Sequence, residues 1–555
     1  MGSQSTGKHA LLDQLVVDGF RYIFGNPGTT EQAFMDALQD HPELEFILAL
    51  HEGVAVSMAD TYARATRKPA FVELHIAPGF GSGSGMIFNA KASNSSLVVY
   101  AGQSASRALL QDPLLSGDIV SMARPISKWA YEIHHAADVP QALRRALKVA
   151  DEPPQGPVVL SIPLDVMDES ADVTITPTSY TRWRVHPDPA AMDEAAALLT
   201  RSERPALVVG DGIALADAQA ELVAVAELLG APVFQGYSSE VNMPMDHPLF
   251  AGALPLYDLA APATTAKVLA RHDVVLVVGA PLFRFIFPSR GGGVPEGTTL
   301  IHIHIDGWEL GKNVPGALGI RADALAALAA LRERLADGGP AGAARRAAAL
   351  GAEHRGKREA AIAADRRTWD ASPISVARLM GELAAALPAN AAIFDEATTA
   401  SPTLARYVMP RPGSYYRARG GGLGPGMPGA VALKLAMPDR PVLGVVSDGA
   451  AMYTVSALWT AAHHRVPVTW VIVNNASYRI LKQNLMDYLG PEHARREFVA
   501  LDLVDPPLRF DRIAEAMGVH GRRVERPQDL RPALDEALAL GAPALVDVVV
   551  DGRVR

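Results

Sequence analysis

Two short apolar runs decide the fold, PVLGVVSDGA at residues 441–450 and VTWVIVNNAS at residues 468–477. Each run has the length and the β-branched content of a buried strand, and residues 456–463 between them have a helical pattern. A strand, a helix and a second strand in this order place the two strands parallel in one sheet. Asp448 and Asn475 then lie at the same carboxyl edge of that sheet, which is where α/β proteins bind ligands.

These two strand ends predict a site for a cation and a phosphate group. One carboxylate, one amide oxygen and a loop carbonyl supply half of an oxygen shell that suits Mg²⁺, which usually keeps its other positions for water and phosphates. The small residues Ser447, Gly449 and Ala450 let phosphate oxygens approach the N–H groups at the start of a helix. Either motif alone is more often a structural turn, but the two at matching strand ends indicate a site.

Similar apolar runs recur along the whole chain and alternate with helical segments. This alternation is typical of parallel α/β sheets covered on both faces, so we predict an α/β fold with three doubly wound parallel-sheet units. Two stretches interrupt the pattern, a polar one at 166–204 and one rich in Ala, Arg and Gly at 337–372. The predicted units are therefore 1–180, 190–340 and 370–555, with an exposed helical linker at 341–369. The other predicted strands are Phe71–Ile76, Leu97–Ala101, Val158–Ile162, Ala206–Val209, Val274–Val278, Leu300–Ile305, Ala392–Phe394 and Leu545–Val550.

A short echo links the first and third units. QGPVVL at 155–160 and GAPALV at 541–546 each place Gly and Pro before a terminal strand. A duplication explains the echo, and so does the general preference of such connections for Gly and Pro. The sequence leaves both explanations open.

The composition restricts the function classes. The chain has 555 residues, 49% of them hydrophobic, which is enough for several cores. The absence of cysteine excludes disulfides, thiolate metal sites and cysteine nucleophiles, and it fits a cytoplasmic location. A net charge of −9 opposes general nucleic-acid binding, and no apolar run approaches the roughly 20 residues of a membrane span. We expect a cytoplasmic globular protein without a signal segment, a nucleic-acid partner or a membrane partner.

With these residues the sequence resembles the thiamine diphosphate-dependent enzymes. Asp-Gly followed some two dozen residues later by Asn-Asn is similar to the cofactor motif of that family, with Ser447 in place of its usual glycine. The resemblance implies a pyrimidine-binding domain, a central domain and a diphosphate-binding domain, in this order. Phrases that resemble benzoylformate decarboxylase and its relatives are FGNPGT at 24–29, LALHE at 48–52, RKPAF at 67–71, LH at 74–75, GAPLFR at 279–284, GSYY at 413–416, GGLG at 421–424 and SALWTAA at 456–462.

The resemblance implies three catalytic residues in the first unit. Glu52 would hold a proton at N1′ of the cofactor's aminopyrimidine, which activates the thiazolium carbon. Its apolar neighbours predict that this carboxylate is buried at a helix start. Thr29 stands where the family has a serine that contacts the substrate carboxylate, and His75 matches an active-site histidine that moves protons on the covalent adducts.

The resemblance also implies the cofactor and metal contacts. Residues at matching cofactor positions are Thr398, Thr399, Gly421, Leu423, Gly449, Ala450 and Tyr478. Leu423 matches the apolar wedge that bends the cofactor and brings its amino group to the reactive carbon. The implied ligands of Mg²⁺ are Asp448, Asn475 and the carbonyl of Ser477. Since Glu52 belongs to the first unit and these ligands to the third, the resemblance implies that they meet across an interface of a homodimer or homotetramer.

Three positions depart from the family pattern. Ala450 replaces a serine often found after Asp-Gly, which removes one hydroxyl donor. Ile286 stands where the family decarboxylase has a second histidine, and an aliphatic side chain cannot transfer a proton. Ile480, in the loop after Asn475, is expected to narrow a pocket that accepts a phenyl ring in the relatives.

The resemblance implies non-oxidative decarboxylation of a benzoylformate-like 2-oxo acid through an ylide, a tetrahedral adduct and an enamine. The alternative is a thiamine-dependent carboligase or lyase that passes the enamine to an aldehyde or another oxo acid. A flavin or nicotinamide oxidoreductase would need a complete Gly-x-Gly-x-x-Gly, and GDGIAL at 210–215 lacks the third glycine. We therefore interpret Gly210–Gly212 as a turn. A non-catalytic protein on the same fold is disfavoured because Glu52 is present.

Overall fold

The computed structural model describes residues 3–181, 184–255, 259–287, 293–336, 338–490 and 498–554. These residues form three six-stranded parallel sheets with helices on their faces, and one two-stranded antiparallel ribbon. The predicted α/β class with three parallel-sheet units is confirmed. All ten predicted strands are present, and their ends differ from the prediction by at most two residues.

The first sheet has the strand order β3-β2-β4-β5-β7-β6. Strand β1 (Ser3–Thr6) pairs antiparallel with β8 (Ser170–Val173) beside it. The sheet strands are β2 (Tyr22–Asn26), β3 (Glu45–Leu48), β4 (Ala70–Leu74), β5 (Leu97–Gln103), β6 (Trp129–Glu132) and β7 (Val158–Pro163). The helices are α1 (Gly7–Val17), α2 (Gln32–Ala37), α3 (Glu52–Thr66), α4 (Ile76–Ala92), α5 (Ile119–Ala123), α6 (Val139–Asp151) and α7 (Leu164–Asp168).

The central sheet has the order β11-β10-β9-β12-β13-β14. Its strands are β9 (Pro205–Val209), β10 (Val233–Gln235), β11 (Phe250–Ala253), β12 (Val274–Val278), β13 (Thr299–His304) and β14 (Leu318–Arg321). Its helices are α8 (Pro189–Arg201), α9 (Gly212–Leu215), α10 (Gln219–Leu229), α11 (Ala261–Leu269) and α12 (Ala324–Leu335). A long, largely exposed helix, α13 (Ala343–Asp365), leads to the third unit.

The third sheet has the order β16-β15-β17-β18-β20-β19. Its strands are β15 (Ala392–Glu396), β16 (Tyr415–Arg417), β17 (Val442–Ser447), β18 (Thr469–Asn474), β19 (His520–Val524) and β20 (Ala544–Val549). Its helices are α14 (Val376–Ala386), α15 (Ser401–Val408), α16 (Gly426–Ala436), α17 (Asp448–Tyr453), α18 (Ala457–His463), α19 (Arg479–Leu489), α20 (Phe510–Ala516) and α21 (Pro527–Ala539).

The first and third sheets share one topology. Numbered within each unit, both have the strand order 2-1-3-4-6-5, whereas the central sheet has 3-2-1-4-5-6. The two segments of the sequence echo begin the corresponding strands β7 and β20 in the first and third sheets. This correspondence favours duplication over a chance preference for Gly and Pro.

Helices α3 and α16 pack along each other and join the first and third units through one apolar core. Trp470 is fully buried in this core, and its indole N–H donates to the carbonyl of Met427 at 3.1 Å. The two units of one chain therefore form a shared core through these helices.

Candidate active site

The carboxyl edge of the first sheet collects the three predicted catalytic residues. Thr29, Glu52 and His75 follow the neighbouring strands β2, β3 and β4, respectively. Gly79, in the first turn of α4, has no side chain, and a Cβ there would lie 2.8 Å from Glu52 Oε1 and 2.9 Å from His75 Cβ. The glycine thus allows the carboxylate and the histidine to flank the same turn.

Glu52 is half-buried in the single chain, which corrects the predicted burial. It occupies the first position of α3, and the preceding His51 caps the helix by accepting a hydrogen bond from Gly53 N–H at 2.9 Å. The apolar neighbours in sequence pack into the core, while Glu52 itself keeps part of its surface exposed. The position suits a group that meets a ligand from outside.

Glu31, which the sequence did not single out, orders this edge. It is fully buried and accepts hydrogen bonds from Gly28 N–H at 2.9 Å, from the hydroxyl of Thr30 and from His75 Nδ1 at 2.8 Å. A proton on Nδ1 that points to a carboxylate leaves Nε2 of His75 free to exchange protons with a ligand. Glu31 makes one of the two bonds of a capping box, to the backbone of Gly28, but glycine lacks the side chain by which that motif is recognised in a sequence.

A second unpredicted glutamate, Glu73, lies on β4 two residues before His75. It is fully buried, and neither carboxyl oxygen has a hydrogen-bond partner among the residues described. Burial and the negative charges of Glu31 and Glu52 raise the pKa of Glu73 well above its usual range. The raised pKa favours the protonated, uncharged form of this carboxyl group.

The third sheet ends in the predicted metal ligands. Asp448 directly follows strand β17, and Asn475 directly follows the neighbouring strand β18. Asp448 Oδ1 accepts from Gly449 N–H at 2.8 Å, but Asp448 Oδ2 and Asn475 Oδ1 are buried and lack a partner within the described ranges. Burial raises the pKa of Asp448 to about 6. Buried unpaired oxygens are costly, and a hard cation would satisfy both.

The predicted phosphate contacts surround these ligands. Thr398 and Thr399 begin a short 3₁₀ helix directly after β15, the other neighbour of β17. The ring of Tyr478 lies against Gly449, where a Cβ would approach Tyr478 Cε1 to 2.7 Å, so only glycine fits. Ala450 follows in α17, and Ser477 anchors the next loop through its hydroxyl, which donates to Leu501 O at 3.2 Å.

Ile480 lies in the first turn of α19, and not in a loop as the sequence suggested. Ile286 is 62% exposed, in an irregular segment of the central unit.

The loop with Gly421 and Leu423 is fastened to the end of β15. Glu396 Oε1 accepts from Gly424 N–H at 2.8 Å, and Oε2 accepts from Gly426 N–H at 2.7 Å. Burial raises the pKa of Glu396 to about 7. This carboxylate, absent from the sequence prediction, brings the loop to the edge that carries Thr398 and Asp448.

Backbone strain marks both edges. Three non-glycine residues with positive φ adjoin or belong to the predicted site, Ile76 at 22°, Thr398 at 49° and Ala476 at 51°. Positive φ is unusual for any of them and most costly for the β-branched pair. Such strain concentrates at functional sites, where the surrounding structure maintains it.

Helix α4 contacts residues of the first unit and of the third unit at different points along its length. Glu52 contacts the Gly79 end of α4, and Gly422 of the loop is hydrogen-bonded to Asn89 at the other end at 2.9 Å. From Gly79 to Asn89 the helix rises about 15 Å at 1.5 Å per residue. Glu52 of the first-unit group and loop 421–423 of the third-unit group therefore contact α4 about 15 Å apart in one chain.

Comparison with known proteins agrees with this division. Residues 5–122 match the N-terminal TPP binding domain of thiamine pyrophosphate enzymes, residues 192–331 match their central domain and residues 396–548 match their C-terminal TPP binding domain. The chain belongs to the thiamine pyrophosphate enzymes. It is a member of a family with decarboxylases and carboligases, as its relatives show.

Three similar thiamine pyrophosphate enzymes cover nearly the whole chain. Benzoylformate decarboxylase of Pseudomonas aeruginosa is 35% identical over 536 residues, 96% of each chain. Glyoxylate carboligase of Escherichia coli O157:H7 is 28% identical and covers 96% of this chain and 90% of its own length. The solved 4-hydroxybenzoylformate decarboxylase of Rhodococcus jostii RHA1 is 30% identical, with a TM-score of 0.85 over 99% of this chain and 100% of its own.

Membrane-spanning helices and clusters of metal-ligating side chains are both absent from the described residues. None of the helices there has the length and apolar content of a membrane span. No cluster of three or more His, Cys, Asp or Glu side chains arranged for a metal occurs in those same ranges.

Proposed function

We propose that the protein catalyses the non-oxidative decarboxylation of a benzoylformate-like 2-oxo acid with thiamine diphosphate and Mg²⁺. The pair of buried, unpartnered oxygens on Asp448 and Asn475 carries the proposal, because it prepares a cation site in a chain that also keeps Glu52. The similarity to two aromatic 2-oxo acid decarboxylases supports the substrate class. We also propose a cytoplasmic location.

The residues of the third unit would hold the cofactor. Thiamine diphosphate supplies a carbon nucleophile that adds to the keto carbon and accepts the electron pair released with CO₂. Asp448, Asn475 and the carbonyl of Ser477 would hold Mg²⁺ between them and the diphosphate. Thr398, Thr399, Gly449, Ala450 and Tyr478 would surround the diphosphate, while Gly421 and Leu423 would meet the rings.

The residues of the first unit would move protons. Glu52 would hold a proton at N1′ of the aminopyrimidine, which its open position allows. His75 presents Nε2, since Glu31 occupies Nδ1, and it would exchange a proton with the substrate oxygen. Thr29 would contact the substrate carboxylate through its hydroxyl.

We propose that the active unit is at least a homodimer, and that a homotetramer is built from it. The separation of about 15 Å along α4 prevents Glu52 and Gly421 of one chain from contacting one aminopyrimidine ring. A second copy must then supply one of the two groups. Loop 104–118 of the first edge supports this assembly, because Leu110 and Leu114 there are 99% and 88% exposed in the single chain.

The test combines purified protein, thiamine diphosphate, Mg²⁺ and a panel of aromatic and aliphatic 2-oxo acids. We expect CO₂ and the corresponding aldehyde from an aromatic substrate, and loss of both when Mg²⁺ is chelated. Sedimentation at the assay concentration should show a dimer or a larger assembly. A fully active monomer would refute the shared site, and no CO₂ from any 2-oxo acid would refute the decarboxylase.

Ile286 favours one alternative, a carboligase. After CO₂ leaves, the aldehyde is released only once its carbon has been protonated, and a well-placed general acid is worth about 10²–10⁴ in rate. With isoleucine in place of the family's second histidine, we expect slow aldehyde release and a raised share of acyloin when aldehyde is supplied. Ile286→His should shift the ratio toward aldehyde, whereas an equal ratio in both proteins would contradict this role.

The central unit gives weaker grounds for an oxidoreductase. Its strand order is that of dinucleotide-binding folds. The cavity at its carboxyl edge, lined by Gly212, Gly279, His304 and Asp323 among others, has a volume of about 40 Å³. This is room for a few water molecules and not for a dinucleotide, so we make no such proposal.

A further inference from the structure

The Gly210-Asp-Gly turn of the central unit is more than a turn. Asp211 is 2% exposed and accepts hydrogen bonds from the backbone N–H of Ser239 at 2.8 Å and from its hydroxyl at 2.7 Å. It also accepts from Arg419 Nη1 of the third unit at 3.0 Å. Arg419 itself is 4% exposed, so the pair is a buried ion pair between two units.

Tyr237 of the central unit contacts Arg419 of this pair and also the next residue, Gly420. The guanidinium of Arg419 lies over its ring, 4.4 Å from the centroid, which is a cation–π geometry. The hydroxyl oxygen of Tyr237 accepts a hydrogen bond from Gly420 N–H. The central unit thus holds both residues that directly precede Gly421.

The segment 419–424, which we call the glycine loop, receives one support from each unit. Gly420 N–H donates to Tyr237 of the central unit, and Gly422 N–H donates to Asn89 of the first unit at 3.0 Å. Gly424 N–H donates to Glu396 of the third unit at 2.8 Å. Alternate residues of one short loop are therefore anchored to three different units.

The glycine loop needs these supports. Gly420, Gly421 and Gly424 have φ of 96°, 90° and 116°, a region that other residues rarely adopt. Glycine reaches such a conformation without steric cost, but it also leaves it easily, because its backbone has the greatest freedom. External hydrogen bonds must then define where Leu423 stands.

We propose that Asp211, Arg419 and Tyr237 are positioning residues through which the central unit sets the place of Gly421 and Leu423 against the cofactor. The proposal depends on the cofactor role of these two residues in the proposed function. Displacement of a catalytic contact by about 1 Å can cost about 10²-fold in rate. Loss of the support should therefore weaken both the affinity for thiamine diphosphate and turnover.

The test uses Tyr237→Phe, which removes only the acceptor of Gly420 N–H, and Arg419→Met, which removes the charge while Asp211 keeps its backbone donors. Asp246→Asn is the matched control, because Asp246 pairs with Arg411 and also joins the central and third units without touching the glycine loop. All three proteins are studied as the full chain.

Two measurements decide the outcome. In the protein without cofactor, we expect the amides of residues 420–424 to exchange hydrogen at least about tenfold faster in both variants, with the amides of Val442–Ser447 unchanged. The dissociation constant of thiamine diphosphate with Mg²⁺ should rise by at least about tenfold, and the control should match the wild type. Faster exchange throughout the third unit would show a merely structural role and would overturn the proposal.

The two proposals fail in distinguishable ways. If the wild type binds no thiamine diphosphate, the proposed function is wrong, and the exchange at the glycine loop still reports on the anchoring. If the wild type binds it and both variants bind it equally well, the positioning role is wrong while the proposed function stands.

Discussion

At the carboxyl edge of the first sheet, Glu31 and His75 are paired with each other, whereas at the same edge of the third sheet two buried oxygens have no partner in the described part of the chain. Both sheets have the same strand order, so the difference lies in the residues that follow the strands. A carboxylate and an imidazole that are hydrogen-bonded to each other, as Glu31 and His75 are, are organised in advance to hold and move protons. An edge with unpaired oxygens on Asp448 and Asn475 is organised to receive a cation.

The largest expected effect comes from the first edge. Glu52→Gln should lower turnover by about 10²–10⁴, since an amide cannot exchange a proton with N1′. Binding of thiamine diphosphate should change little, because the diphosphate contacts belong to the third edge. Steady-state rates and a cofactor titration check both statements. The control is Glu45→Gln, at an exposed position of β3. Near-normal turnover in Glu52→Gln would rule out the assigned chemistry.

A substitution at the third edge should weaken the binding of metal and cofactor, whereas Glu52→Gln should lower turnover. Asp448→Ala removes the one carboxylate of the cation site, so the Mg²⁺ concentration for half-maximal activity should rise by at least about 10²-fold. The affinity for thiamine diphosphate should fall with it, since the cation would bridge protein and diphosphate. Metal analysis and Mg²⁺ titration are the measurements. If the metal content and the titration match those of the wild type, Asp448 is not a ligand.

The pairing within the first edge can be tested through Glu31→Gln. The amide keeps the size of the side chain but weakens the hydrogen bond that orients His75 through its Nδ1. We expect turnover to fall by about 10- to 100-fold, with a smaller change in KM, because the imidazole is no longer held toward the substrate. In a His75→Ala background, Glu31→Gln should leave the residual turnover unchanged. A further loss of turnover in that background would show that Glu31 acts without the imidazole.

The smallest effect on activity is expected from Glu73→Gln, which should change stability instead. The pKa of Glu73 is raised in the folded protein, so below the unfolded value of about 4.5 both states are protonated and there is no penalty. As pH rises above that value, only the unfolded state ionises freely, and the wild type loses up to about 1.4 kcal/mol of unfolding free energy per pH unit.

Glu73→Gln cannot ionise and should therefore gain stability over the wild type as the pH rises above the unfolded-state pKa of about 4.5. Denaturant unfolding at several pH values measures the difference. Glu45→Gln, at an exposed position on the neighbouring β3, should show no such trend. A constant difference across this range would mean that Glu73 ionises normally in the folded protein.

The sequence predicted the features that depend on residues close together in the chain, namely the buried strands and the residues that follow them. Buried parallel strands are continuous apolar runs, so all ten predicted strands are present, and the residues after β17 and β18 indicated a candidate cation site. The short edge strands β11 and β16 lack such runs and were missed, and so were the inner strands β2 and β10. The domain boundaries and the assigned site roles remain predictions, since neither the structure nor the comparisons test them.

The unpredicted residues act through contacts between distant segments. Glu31 reaches His75, 44 residues away, and Asp211 reaches Arg419, 208 residues away. A local sequence pattern does not predict a partner so far along the chain. From the sequence, Asp211 is therefore interpreted only as part of a turn. Glu73 was hidden for another reason, because a single carboxyl within an apolar strand looks like an exposed position on an amphipathic one.

The shared core of α3 and α16 joins, within each chain, the end proposed to move protons and the end proposed to bind the cation. In the proposed dimer these ends serve different sites, so every substitution acts on one half of each site. Two chains with different lesions, one at Glu52 and one at Asp448, would assemble into a mixed pair with one doubly damaged site and one intact site. Two inactive forms of the enzyme could then restore activity together, as complementing alleles do.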